Sequence, residues 1–97
     1  MKCERKGNNS SSVSVDGKNL VSGQFTARIE SSSNQASATP KTSVGGELEF
    51  DFSSKQKDVA AGATAIPATF IQGGKVTASI LKDGFVVNSY TANCRVR

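Results

Sequence analysis

Three stretches of this chain alternate apolar and polar residues with a period of two. In residues 24–30, Phe25, Ala27 and Ile29 take one face, while Gln24, Thr26, Arg28 and Glu30 take the other. Residues 47–52 alternate as sharply, with Leu48, Phe50 and Phe52 on the apolar face, and residues 75–80 repeat the pattern with Val76, Ala78 and Ile80. Successive side chains of a strand point to opposite sides of its sheet, so this period predicts half-buried antiparallel strands. Val13 and Val15 predict a shorter strand before an Asp16-Gly17 turn. No long window carries a helical period. Pro67 and the Gly73-Gly74 pair frame one helical turn at most, and the small side chains of residues 58–64 read as a strand lying close against a neighbour. The polar, low-complexity runs at residues 7–12 and 31–35 read as mobile loops. Residues 53–57 read as a further polar connection, and Pro40 marks an edge strand or loop.

The last hairpin poses a choice of register. Asp83-Gly84 invites a two-residue turn, which sets Ile80 opposite Val87 and Val76 opposite Thr91. A three-residue loop over Lys82, Asp83 and Gly84 sets Ile80 opposite Val86, Ala78 opposite Asn88 and Val76 opposite Tyr90. Ala92, Cys94 and Val96 then join the same inner face. A one-residue slip reverses every side chain, so burial selects the three-residue loop. There is also an internal echo. Residues 23–29 and 74–80 share Gly, Thr, Ala and Ile at matching places, as expected of two strands in similar environments.

Many short alternating segments separated by turn signals predict an all-β fold. We expect one domain over residues 1–97, an antiparallel sandwich or partly open barrel of about six to eight short strands. The immunoglobulin pattern does not fit, because there is no Trp and the two cysteines lie too near the ends to join central strands.

Composition adds a compartment. Hydrophobic residues make up 36% and aromatics 6%, so the core is thin and a covalent staple is of use. Cys3 and Cys94 are the only cysteines, and their pairing would clamp nearly the whole chain into a ring. A lasting disulfide belongs outside a reducing cytosol, in a secreted, periplasmic or surface protein. Two free thiols in the cytosol, or a lipidated Cys3 with Cys94 left single, are the competing readings. Met1-Lys2 leads straight into Cys3, which reads as a processed domain behind an added Met1. No apolar run approaches the ~20 residues of a membrane-spanning helix.

Candidate chemistry is sparse. The chain has no histidine, and so lacks the commonest general base and metal ligand. It has no phosphate loop, dinucleotide fingerprint or EF-hand spacing, and no cofactor is expected. Glu47, Glu49 and Asp51 share one strand face. Alternate strand residues lie ~6.5–7 Å apart, a spacing that paired glycosidase carboxylates also use. A solvated strand face explains them more simply, and sugar-cleaving clefts want aromatic platforms that this chain lacks. Calcium held by these residues with Asp58 or Asp83 has no spacing signature.

The basic residues are more suggestive. Net charge is +4, and Lys2, Arg5 and Lys6 flank Cys3 while Arg95 and Arg97 flank Cys94. A disulfide would gather these five around one point, opposed only by Glu4. The expectation is a non-enzymatic, extracytoplasmic, bacterial-style β-module that binds or scaffolds through its surface, as a monomer without a membrane span. Its partner would be a protein or an envelope polysaccharide. Nucleic acid is disfavoured, because no aromatic residues interleave the charges. The alternatives are an anion-binding module that uses the five basic residues for polysaccharide, lipid headgroups or nucleic acid, and a small inhibitor or immunity-type protein.

Overall fold

The computed structural model covers residues 1–97 and packs two mostly antiparallel sheets face to face. Ten strands and one short helix follow in order. They are β1 (Lys2–Lys6), β2 (Ser10–Gly17), β3 (Gln24–Ser31), β4 (Asn34–Ser37), β5 (Lys41–Thr42), β6 (Leu48–Ser53), α1 (Gln56–Ala60), β7 (Thr64–Ala65), β8 (Lys75–Lys82), β9 (Phe85–Asn93) and β10 (Arg95–Val96). One sheet runs β10-β1-β2-β6-β7 and the other β4-β3-β8-β9, with β5 also paired to β3. The expected all-β sandwich is present, and two of its short strands pair in parallel: β10 with β1, and β7 with β6.

The alternating faces pack as the period requires. Phe25, Ala27 and Ile29 of β3, and Val76, Ala78 and Ile80 of β8, are buried against Val13 and Val15 of β2 and Phe50 and Phe52 of β6. Leu48 is half-buried at the rim of this core. The internal echo gains a packing reason. Strands β3 and β8 are antiparallel neighbours, with Ala27 opposite Ile80 and Ile29 opposite Ala78. The shared Thr-Ala-x-Ile motif thus runs against itself, each small residue meeting the other strand's large one.

Helix α1 falls where the sequence predicts a polar connection and a strand. Ala60 and Ala61 are strong helix formers, and Gly62, at φ 112°, ends the turn. A five-residue helix is too short for its period to show. Residues 67–71 instead form a single turn, closed by the Phe70 amide on the Pro67 carbonyl at 3.0 Å. This places Phe70 and Ile71 in the core.

The two polar runs form strand and tight turn rather than long loops. Strand β2 begins at Ser10, and β3 and β4 are joined by a tight Ser32-Ser33 turn. Their serines bind the irregular segment that plugs the sandwich. Ser11 Oγ donates to the Ala68 carbonyl at 2.6 Å. Ser31 Oγ donates to the Lys75 carbonyl at 2.8 Å and accepts from the Gln72 amide at 2.7 Å. Buried backbone outside a sheet needs such partners, and a small hydroxyl supplies them without adding bulk.

The last hairpin satisfies both of the competing rules. Asp83 and Gly84 take φ 54° and 83°, and Lys82 pairs with Phe85, so the two-residue turn forms. A bulge follows. Leu81 pairs with Val86 but Ile80 with Asn88, which leaves Val87 as the extra residue. Beyond the bulge, Ala78 faces Tyr90 and Val76 faces Ala92. The expected three-residue loop is therefore wrong, yet the partners shift by two residues and Asn88, Tyr90 and Ala92 keep the inner side. Val86 lies opposite Leu81 on the outer side and is exposed, as is Tyr90.

Candidate functional site

Cys3 and Cys94 are bonded, with Cα atoms 4.7 Å apart. Beside the bond, β10 lies parallel to β1, with Arg95 opposite Glu4 and Val96 opposite Arg5. Cys3 points into the core, so alternation sends Lys2, Glu4 and Lys6 outward and Arg5 the other way. Four of the five basic residues singled out from the sequence, Lys2, Lys6, Arg95 and Arg97, therefore surround Glu4 at one sheet margin. Arg97 donates to the Glu4 carboxylate at 3.0 Å, and Arg95 Nε lies 3.9 Å from it. The hydrogen bond from Arg97, with the charges of Arg97, Arg95 and Lys6, holds the Glu4 carboxyl below its ordinary 4.5 against a smaller opposing effect of burial.

Arg5 does not join this group. Its guanidinium donates to the Gly7 carbonyl at 2.7 Å, the Ile71 carbonyl at 2.6 Å and Asn8 Oδ1 at 2.9 Å. It ties the first turn to the plug segment, with three of its five N–H groups engaged. The fork geometry that makes arginine a good anion binder also makes it a good strut, and local sequence does not distinguish the two.

The outer face of β1, β2 and β6 forms an open groove of about 920 Å³. Lys2, Glu4, Ser14, Asp51, Asp58 and Arg95 line it, so both signs of charge are present. Glu49 and Asp51 converge on one hydroxyl, Ser14 Oγ, at 3.0 and 2.9 Å. Glu47 lies just outside β6, and Asp58 accepts from Ser53 Oγ at 2.8 Å. Asp83 sits in the β8–β9 turn of the other sheet. The acidic residues are thus engaged by neighbouring hydroxyls or spread between sheets.

A third feature was not singled out from the sequence. Strand β9 ends its sheet and has β8 on one side only. Phe85 is 76% exposed, and Val86, Val87 and Tyr90 are exposed beside it. The Cys94 amide donates to the Gly74 carbonyl at 2.7 Å, which sets the alternation of the ladder. Asn88, Tyr90 and Ala92 turn their backbone groups toward β8, and Ser89, Thr91 and Asn93 turn theirs outward. The Thr77–Thr91 hydroxyl contact at 3.0 Å belongs to the close pair that this parity predicts.

The other sheet margins are short or charged: β7 has two residues, β4 four, and β10 two, with Arg95 in it and Arg97 just beyond. Natural edges are commonly blunted in these ways, whereas β9 runs nine residues with no charge and no proline. That uncharged run was visible in the sequence. Its place at a margin was not. No helix is long and apolar enough to cross a membrane. No protein-family model matches this chain, and no curated protein or solved structure is significantly similar to it.

Proposed function

We propose that this chain is a non-enzymatic, extracytoplasmic β-module that binds or scaffolds through its surface, with the β9 edge as its contact. The observation that carries the reading is that long, uncharged edge with unpaired backbone groups, with Phe85, Val86 and Val87 exposed at its start. An extended segment of a partner protein can add to such an edge, with main-chain hydrogen bonds supplying affinity and alternate side chains supplying selectivity. The disulfide supports a site of action outside a reducing cytosol. The inhibitor reading would need a protruding loop, and the turns at Gly7–Asn9 and Ser32-Ser33 are tight. The test is an NMR titration of dilute protein with a nine-residue peptide of alternating Thr and Val. Amide shifts should centre on Ser89, Thr91 and Asn93 and leave β1 and β2 unmoved. No shifts at millimolar peptide, or shifts centred elsewhere, would overturn the reading.

A second reading rests on the four basic residues gathered around Glu4: these would take a polyanion such as an acidic polysaccharide. Glu4 is then the brake, since it neutralises part of the cluster. Glu4→Gln should delay elution from heparin, and Arg95→Gln with Arg97→Gln should advance it more than Lys55→Gln with Lys57→Gln. Acid should mimic Glu4→Gln. The folded-state pKa lies below 4.5, so the Glu4 pairs contribute above that pH and are lost as pH falls through the lowered value. The same protonation adds a positive charge to the cluster. Equal loss from the two double variants, with no gain from Glu4→Gln, would show that net charge alone binds heparin.

A further inference from the structure

The β9 edge is specific enough to name its occupant. We infer that a second copy of this chain pairs with it, β9 against β9 in antiparallel fashion about a two-fold axis at Tyr90. The inference rests on the reading of β9 as the binding edge and departs from the monomer expected from the sequence.

The backbone fits this axis. Past the bulge at Val87 the ladder is regular, so the unbroken free edge runs from Asn88 to Asn93. With Tyr90 on the axis, Ser89 of each copy meets Thr91 of the other, and both present outward amides and carbonyls. Tyr90 meets its counterpart as a close pair that is not hydrogen-bonded to itself, the position where facing side chains approach most nearly. Asn88 meets Ala92. Two four-stranded paths, β4-β3-β8-β9, then join into one continuous sheet.

Charge points to the same occupant. Each copy carries +4, so most faces repel a second copy, but no charge lies between Phe85 and Asn93. An acidic partner would find complementary charge at the β10 margin and none here. Antiparallel pairing carries the β8–β9 turn, whose Asp83 is paired with its own Lys82 at 3.7 Å, toward the end of the second copy's β9, so the strand ends neither add nor oppose charge there.

The contact is small. The regular edge from Asn88 to Asn93 is about 20 Å long, with the exposed Phe85, Val86 and Val87 beside it. This falls short of the ~800 Å² per partner of a standard stable interface, so the dimer belongs to high protein concentration. Two-fold closure also uses up the edge, so the assembly stops at a dimer.

The test is sedimentation of the intact, disulfide-bonded protein over a rising concentration series, with Tyr90→Lys and Tyr90→Glu alongside. The wild type should pass from the 10.1 kDa monomer to twice that mass. Each variant alone should dimerise several-fold more weakly, because like charges then face each other across the axis. An equimolar mixture of the two variants should recover the dimer, which a variant that merely failed to fold would not do. A wild type that stays monomeric at millimolar concentration overturns the inference, as does a mixture no better than either variant. If the wild type is monomeric while the Thr/Val peptide still shifts β9, the edge binds a foreign strand and only the second copy is refuted. If both fail, the reading of β9 falls with it.

Discussion

Replacing Cys3 and Cys94 together by serine is expected to lower stability by about 4–5 kcal/mol, the chain-entropy value for a loop of nearly this whole length. The bond joins residues 91 apart, so the unfolded chain gains almost all of its closure freedom when the bond is absent. A marginally stable domain has only ~5–15 kcal/mol to lose, so the variant should unfold at far lower urea. The loss has a second source. Cys3 belongs to the buried core, and serine there brings a hydroxyl among apolar neighbours. Reduction of the wild type separates the two effects, since it opens the ring and leaves sulfur in place. Urea midpoints of the oxidised, reduced and double-serine forms measure them. A change below about 1 kcal/mol on reduction would mean that the β1–β10 ladder and the Glu4 ion pairs hold the ends together without the bond.

Phe50→Ala is expected to cost about 3–5 kcal/mol, the range for emptying a buried aromatic site. Phe50 is 1% exposed and lies opposite Val15 on β2, facing the β3–β8 layer. The two sheets cannot collapse to fill the space, because the disulfide and the plug at Phe70 and Ile71 hold their separation. Phe85→Ala is the control. Phe85 is equally large but stands in water at the start of β9, so its loss should change monomer stability by only about ±0.5 kcal/mol. Measured by urea unfolding at a concentration where the protein is monomeric, the two variants should differ by several-fold. Similar costs would show that the inward and outward assignments of these phenylalanines are wrong.

The gap between those two phenylalanines also marks how far the sequence could be read. Phe50 alternates with Leu48 and Phe52 among acidic residues, and the pleat turns that alternation directly into an inward face. Phe85, Val86 and Val87 form a run without alternation, and nothing local says whether a second layer covers it. Tyr90 and Val86 were therefore expected inside and are exposed. The serine runs failed for a related reason. Ser11 and Ser31 resemble loop residues in sequence, yet each is buried because a distant backbone needs its hydroxyl. Arg5 was grouped with Lys2, Lys6, Arg95 and Arg97 by proximity to Cys3. The alternation that points Cys3 inward also turns Arg5 away from them.

By itself, the sequence determined the all-β class and the inward residues of β3, β6 and β8, and it favoured the pairing of the only two cysteines. These follow from the pleat of a strand and from the absence of any other thiol. Tertiary structure alone decided which strands share a sheet, that β9 lies at a margin, that Glu4 takes Arg95 and Arg97, and that a bulge reconciles the last turn with the core. Each of these depends on residues far apart in the chain meeting across a sheet or between sheets. Local alternation says which way a side chain points, but not what stands opposite it.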